Sequence, residues 1–338
     1  MLTLDSNKLQ IPIGIIKGWD RSKFHLNTKT DETGIIGERY TVKPSEVHEV
    51  LGLKSISYSP ASESFVIETS AKILKEEYPK GISLNTFERL IDEITKTNII
   101  DIDCNDVYDK GHFFSFDITN NIIMDRDSLM PYFEALNTVR NNPRYSVKPY
   151  LEKGNTGIVF SGDYKSKKSR LILYDKMKDI RRDKLLLENV PYPLLYKSFN
   201  NSIRIEQNIV SFKEARKTLN ILGDISVKSI LNAANNPNYN LFQTIKSSVQ
   251  YDVFNEYQNI SFNDERKMRG DFEIIKQFEY DIQKIMAYIG TRVKGKTSRY
   301  KKEIMNAIEI LKNKEAIANG SPLIELLDEI TLKLLNVA

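Results

Sequence analysis

Alternation of apolar and polar residues with a period of two marks five stretches in the first two thirds of the chain as strands: 65–69, 112–119, 157–161, 169–176 and 203–210. They are rich in Ile, Phe, Val and Tyr. A helical period appears between them. Over 85–97 the residues Phe87, Leu90, Ile91 and Ile94 fall on one face, and Asn85 with Glu88 has the spacing of a capping box. A second helix is predicted over 127–140, with Leu129, Phe133, Leu136 and Val139 inward and Pro131 in its first turn. After Val210 the texture changes. Ser211 and Glu214 form another capping box, Gly223 closes that helix, and from Asn240 onward the pattern reads as helix after helix. The expected fold class is α+β, an antiparallel sheet with flanking helices over 1–215 followed by a mainly helical region over 216–338.

Three of the strands carry polar residues on one side. In 114–119, Phe114, Phe116 and Ile118 face one way and Ser115, Asp117 and Thr119 the other. Leu171 and Leu173 oppose Arg170, Tyr174 and Lys176, while Ile203 and Ile205 oppose Arg204, Glu206 and Asn208. If these strands are neighbours, Asp117, Tyr174, Lys176, Arg204 and Glu206 converge on one face. A solvated sheet face needs no function. The chemistry of this set is nevertheless divided in a useful way. Asp117 and Glu206 offer hard oxygen ligands to Mg²⁺ or Mn²⁺, and Tyr174 offers a nucleophile. At pH 7 only about one tyrosine in a thousand is ionised, so Lys176 and a metal would have to favour the phenolate.

Length and composition narrow the classes. The 338 residues suffice for two domains, and 41% hydrophobic with 28% charged residues describes an ordinary globular protein. No apolar run is long enough to span a membrane, and residues 1–19 lack the apolar core of a signal peptide. The single Cys104 excludes an internal disulfide and a thiolate zinc site, and is expected to be a small buried hydrophobe in a protein of the reducing cytoplasm.

Charge adds a partner. The net charge of +4 says little, but 144–184 holds twelve bases against five acids, and 292–302 holds six bases and no acid. Such blocks on a nearly neutral body suit a phosphate backbone. The candidate DNA contacts are Lys165, Lys167 and Lys168 on a hairpin, Arg170 and Arg204 on the strands, and Arg299, Lys301 and Lys302 in the helical region. Tyr145, Tyr150 and Tyr164 are read as core or stacking residues rather than second nucleophiles. No GxxxxGK[ST] loop is present, so no nucleotide cofactor is expected.

The segments 114–119, 169–176 and 203–206, in this order and spacing, resemble the gene II/gene X replication initiator family of filamentous phages and related plasmids; 65–74 resembles a segment before the family's helix. The similarity covers roughly 65–223. It implies a rolling-circle initiator, a metal-dependent DNA endonuclease that nicks and rejoins origin DNA through a 5′-phosphotyrosine and works with a host helicase and polymerase. By the resemblance Tyr174 is the nucleophile, Lys176 the basic residue after it, and Asp117 and Glu206 the acidic positions that suit Mg²⁺ or Mn²⁺. Where the family often has Glu, five residues after the tyrosine, this chain has Asp179. His25, His48 and His112 form no His-x-His pair, so a carboxylate site is expected rather than the two-histidine site of related nickases. A conjugative relaxase with the same chemistry and a non-catalytic DNA-binding replication regulator are the alternatives.

Overall fold

The computed structural model describes residues 2–31, 34–137, 145–150, 157–162, 170–247, 262–292, 297–319 and 322–337. Its strands are β1 (Leu4–Pro12), β2 (Ile16–Trp19), β3 (Phe24–Asp31), β4 (Gly34–Val42), β5 (Leu53–Ser59), β6 (Ser64–Ser70), β7 (Ile100–Ile102), β8 (His112–Ile123), β9 (Tyr145–Pro149), β10 (Gly157–Gly162), β11 (Arg170–Asp175) and β12 (Ser202–Ile209). All but β2 and β7, which pair with each other, join one ten-stranded sheet in the order β3-β4-β5-β6-β1-β8-β12-β11-β10-β9. Every neighbouring pair is antiparallel. The α+β class expected from the sequence is the one observed.

The strands carrying the candidate residues are adjacent because their apolar sides share one cover. Leu171, Leu173, Ile203 and Ile205 are fully buried on the side that receives the helix Pro237–Ser247. Asn238 at the start of that helix is itself buried, and its amide donates to the backbone oxygens of Ile118 and Ile205 at 3.3 and 3.2 Å and to Asn120 Oδ1 at 2.8 Å. The helix thus satisfies the sheet's polar groups as well as covering its apolar ones. The helix Pro237–Ser247, beyond residue 215, is therefore part of the sheet domain. By contacts the chain divides into a unit of 1–249 with 329–338 and a unit of 250–328, rather than at residue 215. The second unit has its own core, in which Phe272, Ile275, Ile285, Ile289, Ile304 and Leu311 meet from the helices Phe262–Gln277, Ile282–Gly290 and Thr297–Asn319.

Local expectations fared unevenly. The helix predicted over 85–97 is Phe87–Thr95, but Asn85 and Glu88 make no capping box; Thr86 precedes the helix and its hydroxyl accepts from Ser83 N at 2.9 Å instead. The helix predicted over 127–140 is described as Met130–Asn137. Ser211 does cap Phe212–Leu219 through Glu214 N, whereas that helix ends at Asn220, in the left-handed region at φ 55°, and not at Gly223. The alternation through 113–116 also breaks. Lys8 pairs with Ser115 and Leu9 with Phe113, leaving Phe114 without an opposite residue, so Phe113 rather than Phe114 joins Phe116 in the core.

Candidate active site

Antiparallel register places Tyr174 opposite Arg204, Ile172 opposite Glu206, Glu206 opposite Thr119, and Asn208 opposite Asp117. Residues opposite one another share a face. Asp117, Tyr174, Arg204 and Glu206 therefore lie on one side of three adjacent strands. Tyr174 is near the end of β11, and Asp175 turns the chain into the helix Lys176–Ile180 by accepting from Lys178 N at 3.1 Å. Lys176 is consequently the first helical residue rather than a strand residue, yet its ammonium returns to the tyrosine. Opposite Tyr174, Gly157 is indispensable: a Cβ there would come within 2.5 Å of the Leu173 oxygen and 2.7 Å of Tyr174 Cβ.

The Tyr174 hydroxyl donates to Glu206 Oε1 at 2.8 Å and accepts from Lys176 Nζ at 3.3 Å. Lys176 Nζ also donates to Asp179 Oδ2 at 2.7 Å, which gives Asp179 a counter-ion role. Arg204 crosses the sheet beneath these groups. Its Nε donates to Asn121 Oδ1 at 2.8 Å, and its NH1 bonds Asp5 Oδ1 at 2.5 Å and lies 3.6 Å from Glu206 Oε1. Asp117 accepts from Asn208 Nδ2 at 2.6 Å and from the Ser6 hydroxyl.

The helices Lys176–Ile180 and Tyr192–Phe199, with the segment Ala71–Lys80, close over one end of this face. Lys176 and Arg204 are each only 1% exposed, and the rings of Tyr78 and Phe199 lie against the Arg204 guanidinium at 5.6 and 5.5 Å. Burial in this setting moves the titrations. Burial, reinforced by the charges of Asp5 and Asp117 and opposed by Arg204 and Lys176, pushes the Glu206 carboxyl up to about 7. Burial, with Glu206, lifts the Tyr174 hydroxyl well above its ordinary 10, although Lys176 and Arg204 pull the other way. Burial acts to raise the Asp5 carboxyl too, but Arg204, Lys176 and Lys72 overcome it and hold Asp5 well below the usual carboxylate range.

Removing one partner of the Asp5–Arg204 pair strands the other. Arg204→Met is expected to cost about 3–5 kcal/mol in urea denaturation, and Asp5→Asn added to it to restore part of that loss. The carboxylate's contribution is complete at neutral pH and is lost as pH falls below the 3.8 of an unfolded aspartate.

The other expected residues are dispersed. Arg204, expected among the DNA contacts, is buried and ion-paired inside the protein, so it does not present its charge to a strand on the surface. Arg170 is exposed at the far end of the same face, opposite Ser161. Lys165, Lys167, Lys168 and Tyr164 lie outside the described residues. Arg299, Lys301 and Lys302 are exposed on the helix Thr297–Asn319 of the second unit, with Arg299 paired to Glu303 at 3.1 Å. Tyr150 stands beside the site, its ring centroid 5.3 Å from that of Tyr174. Of the histidines, His112 holds the Ile225 oxygen at 2.8 Å through Nδ1, and His25 and His48 are exposed on other elements. Sequence reasoning missed Asp5, Ser6, Tyr78 and Asn121. Nothing local marks Asp5; it reaches Arg204 because β1 carries an extra residue between Leu4 and Ser6, the pairings of which shift from Ile118 to Asp117.

The sequence matches no protein-family model and no curated protein. Among solved structures the chain is similar to a rolling circle replication initiator protein from Geobacillus stearothermophilus, with 11% identity and a TM-score of 0.32 over 74% of this chain and 87% of that one. Among the described residues no helix is long and apolar enough to cross a membrane, and no group of three or more His, Cys, Asp or Glu residues is placed to hold a metal ion.

Proposed function

We propose that this protein is a rolling-circle replication initiator that nicks and rejoins origin DNA through a covalent link to Tyr174. The observation that carries the reading is the Tyr174 hydroxyl held between a carboxylate that accepts its proton and an ammonium that favours its anion. Because burial disfavours the free phenolate, the proton leaves as the oxygen attacks phosphorus. Glu206, which already accepts the hydroxyl's hydrogen bond, receives it. Lys176 and Arg204 balance the charge that develops. The bond formed is tyrosine oxygen to phosphorus and the bond broken is phosphorus to the 3′ oxygen, which leaves with a proton taken from solvent as the 3′ hydroxyl of the cut strand. In the reverse step that hydroxyl attacks the phosphotyrosine and gives its proton back to solvent, while Glu206 returns its proton to the departing tyrosine oxygen.

Asp117 and Glu206 would hold the divalent cation. Their diagonal register on neighbouring strands, and the neutral Ser6 and Asn208 donors that orient Asp117 without cancelling its charge, suit Mg²⁺ or Mn²⁺. Such ions take their remaining ligands from phosphate and water. When bound, the ion would supply neutralisation of the phosphate oxygens. Incubation of the protein with supercoiled plasmid carrying its replicon should give nicked circles and a protein–DNA adduct that peptide mapping places on Tyr174. Asp117→Asn should lower the yield by roughly 100-fold at saturating Mn²⁺. Binding without nicking or adduct would favour the non-catalytic regulator.

A further inference from the structure

The unit of 250–328 carries thirteen bases and thirteen acids, but seven of the bases and only two of the acids lie within 281–306. Its positive charge is therefore gathered on the second of its helices, Ile282–Gly290, on the connection 291–296, and on the start of the third, Thr297–Asn319. The third helix has one covered face. Ile304, Ala307 and Leu311 are buried in the core shared with Phe272 and Ile275 of the first helix, Phe262–Gln277, and with Ile285 and Ile289 of the second. At 3.6 residues per turn the opposite face carries Ser298, Arg299, Lys302, Met305 and Asn306, all of them exposed. At 1.5 Å per residue this stripe is about 12 Å long.

Two arginines are set in place by their neighbours. Arg299 Nε donates to Glu303 Oε1 at 3.1 Å, which leaves its two terminal nitrogens for a ligand, and the Glu303 carboxylate is held in turn by Lys267 at 2.8 Å. Arg292, at the end of the second helix, lies 3.8 Å over the Tyr288 ring while staying exposed. Glu303 is thus neutralised by its own neighbours, and Arg292, Lys301 and Lys302 add exposed positive charge beside it.

We infer that the third helix of this unit reads duplex DNA from the major groove, with Arg299, Lys302 and Asn306 at base edges and Arg292 and Lys301 at phosphates. The inference rests on the reading that this protein acts on DNA. The second and third helices, joined by 291–296, have the order of a helix-turn-helix pair, whose second member enters the groove. Arginine and lysine match the O6/N7 edge of guanine and asparagine the N6/N7 edge of adenine, and a 12 Å stripe meets about three to four base pairs. Other polyanions suit this face less well. A single strand is gripped by stacking, and the stripe holds no aromatic residue. An anionic membrane takes up the apolar face of a helix, and here that face is buried in the core.

The test uses the full chain carrying Tyr174→Phe, so that binding is read apart from cleavage. This protein selects from a pool of random-sequence duplex DNA, and the enriched duplex becomes the probe. Arg299→Ala, Lys302→Ala and Asn306→Ala should each weaken binding to it by roughly 10-fold or more and relax the preference at one base pair. Lys301→Ala should weaken all sequences alike and lower the slope of log affinity against log salt by about 1. Lys276→Ala, which removes an exposed base from the first helix, should keep the parent's affinity. Thermal unfolding should be unchanged in Lys302→Ala and Asn306→Ala, whose side chains are exposed. Any of four results would overturn the inference: no duplex enriched, stripe variants that bind with the parent's affinity and base preference, equal binding of a single strand of the enriched sequence, or a loss in Lys276→Ala as large as in Lys302→Ala. Absence of a Tyr174 adduct in the unmodified protein, with these binding results intact, would instead remove the nicking reading and leave the duplex reader.

Discussion

Tyr174→Phe is expected to abolish nicking, lowering cleavage by roughly 10⁴-fold or more, and to eliminate the covalent adduct. The substitution removes one oxygen from a ring that otherwise lies against Gly157, Tyr150 and the Lys176 ammonium. Stability should fall by about 1–3 kcal/mol, because the largely buried Glu206 carboxyl loses its hydrogen-bond donor. Gel assays for nicked circles, with labelled DNA retained on denatured protein as a second readout, check the result. Wild-type cleavage by this variant would end the assignment of Tyr174 and turn attention to Tyr150.

Glu206→Gln should divide activity from stability. Loss of the proton acceptor, which would also be a ligand of the divalent cation, is expected to cost roughly 10²–10⁴-fold in cleavage. Stability should move the other way. The folded-state carboxyl titrates at about 7 against 4.5 when unfolded, so its contribution is fully present below 4.5 and lost as pH rises through 7. At pH 8 the ionised Glu206 therefore costs the folded state up to about 3 kcal/mol, which glutamine does not incur. Thermal or urea unfolding should show the variant more stable than the parent at pH 8 and the difference vanishing near pH 4. A variant equally active, or one less stable at pH 8, would remove Glu206 from the role.

The parts of this fold visible in the sequence are those that a single strand or helix encodes by itself. β6, β8, β10, β11 and β12 announce themselves because one face of each is apolar, and strand parity was enough to gather Asp117, Tyr174, Arg204 and Glu206 on one side. β1 to β5 were not recognised. In β1 the alternation is interrupted by Asp5, and in the β3–β4 hairpin both sides are exposed, so no apolar periodicity exists to be read. Parity also failed where a strand bulges, which is why Phe113 and not Phe114 is in the core. Burial was the other hidden quantity. Arg204 reads in sequence as one more base, and only the closure of Tyr78 and Phe199 over it turns a presumed phosphate contact into an internal counter-ion. The boundary at 215 followed a change of texture, whereas the helix Pro237–Ser247 beyond it covers the sheet.

The central position of β1 has a consequence for how the protein is made. β1 can pair with β6 as soon as Ser70 has been synthesised, but Asp5 and Arg204 are 199 residues apart. Until β12 arrives, the Asp5 carboxylate waits in a partly assembled sheet without its cation, and Tyr174 without its carboxylate. Closing such long loops is slow relative to local pairing, so the last strand to dock completes both the charge balance of the interior and the reactive hydroxyl in one step. A nascent chain that has not yet finished folding thus lacks the assembled Tyr174, Lys176 and Glu206 cluster, which forms only once β12 has docked.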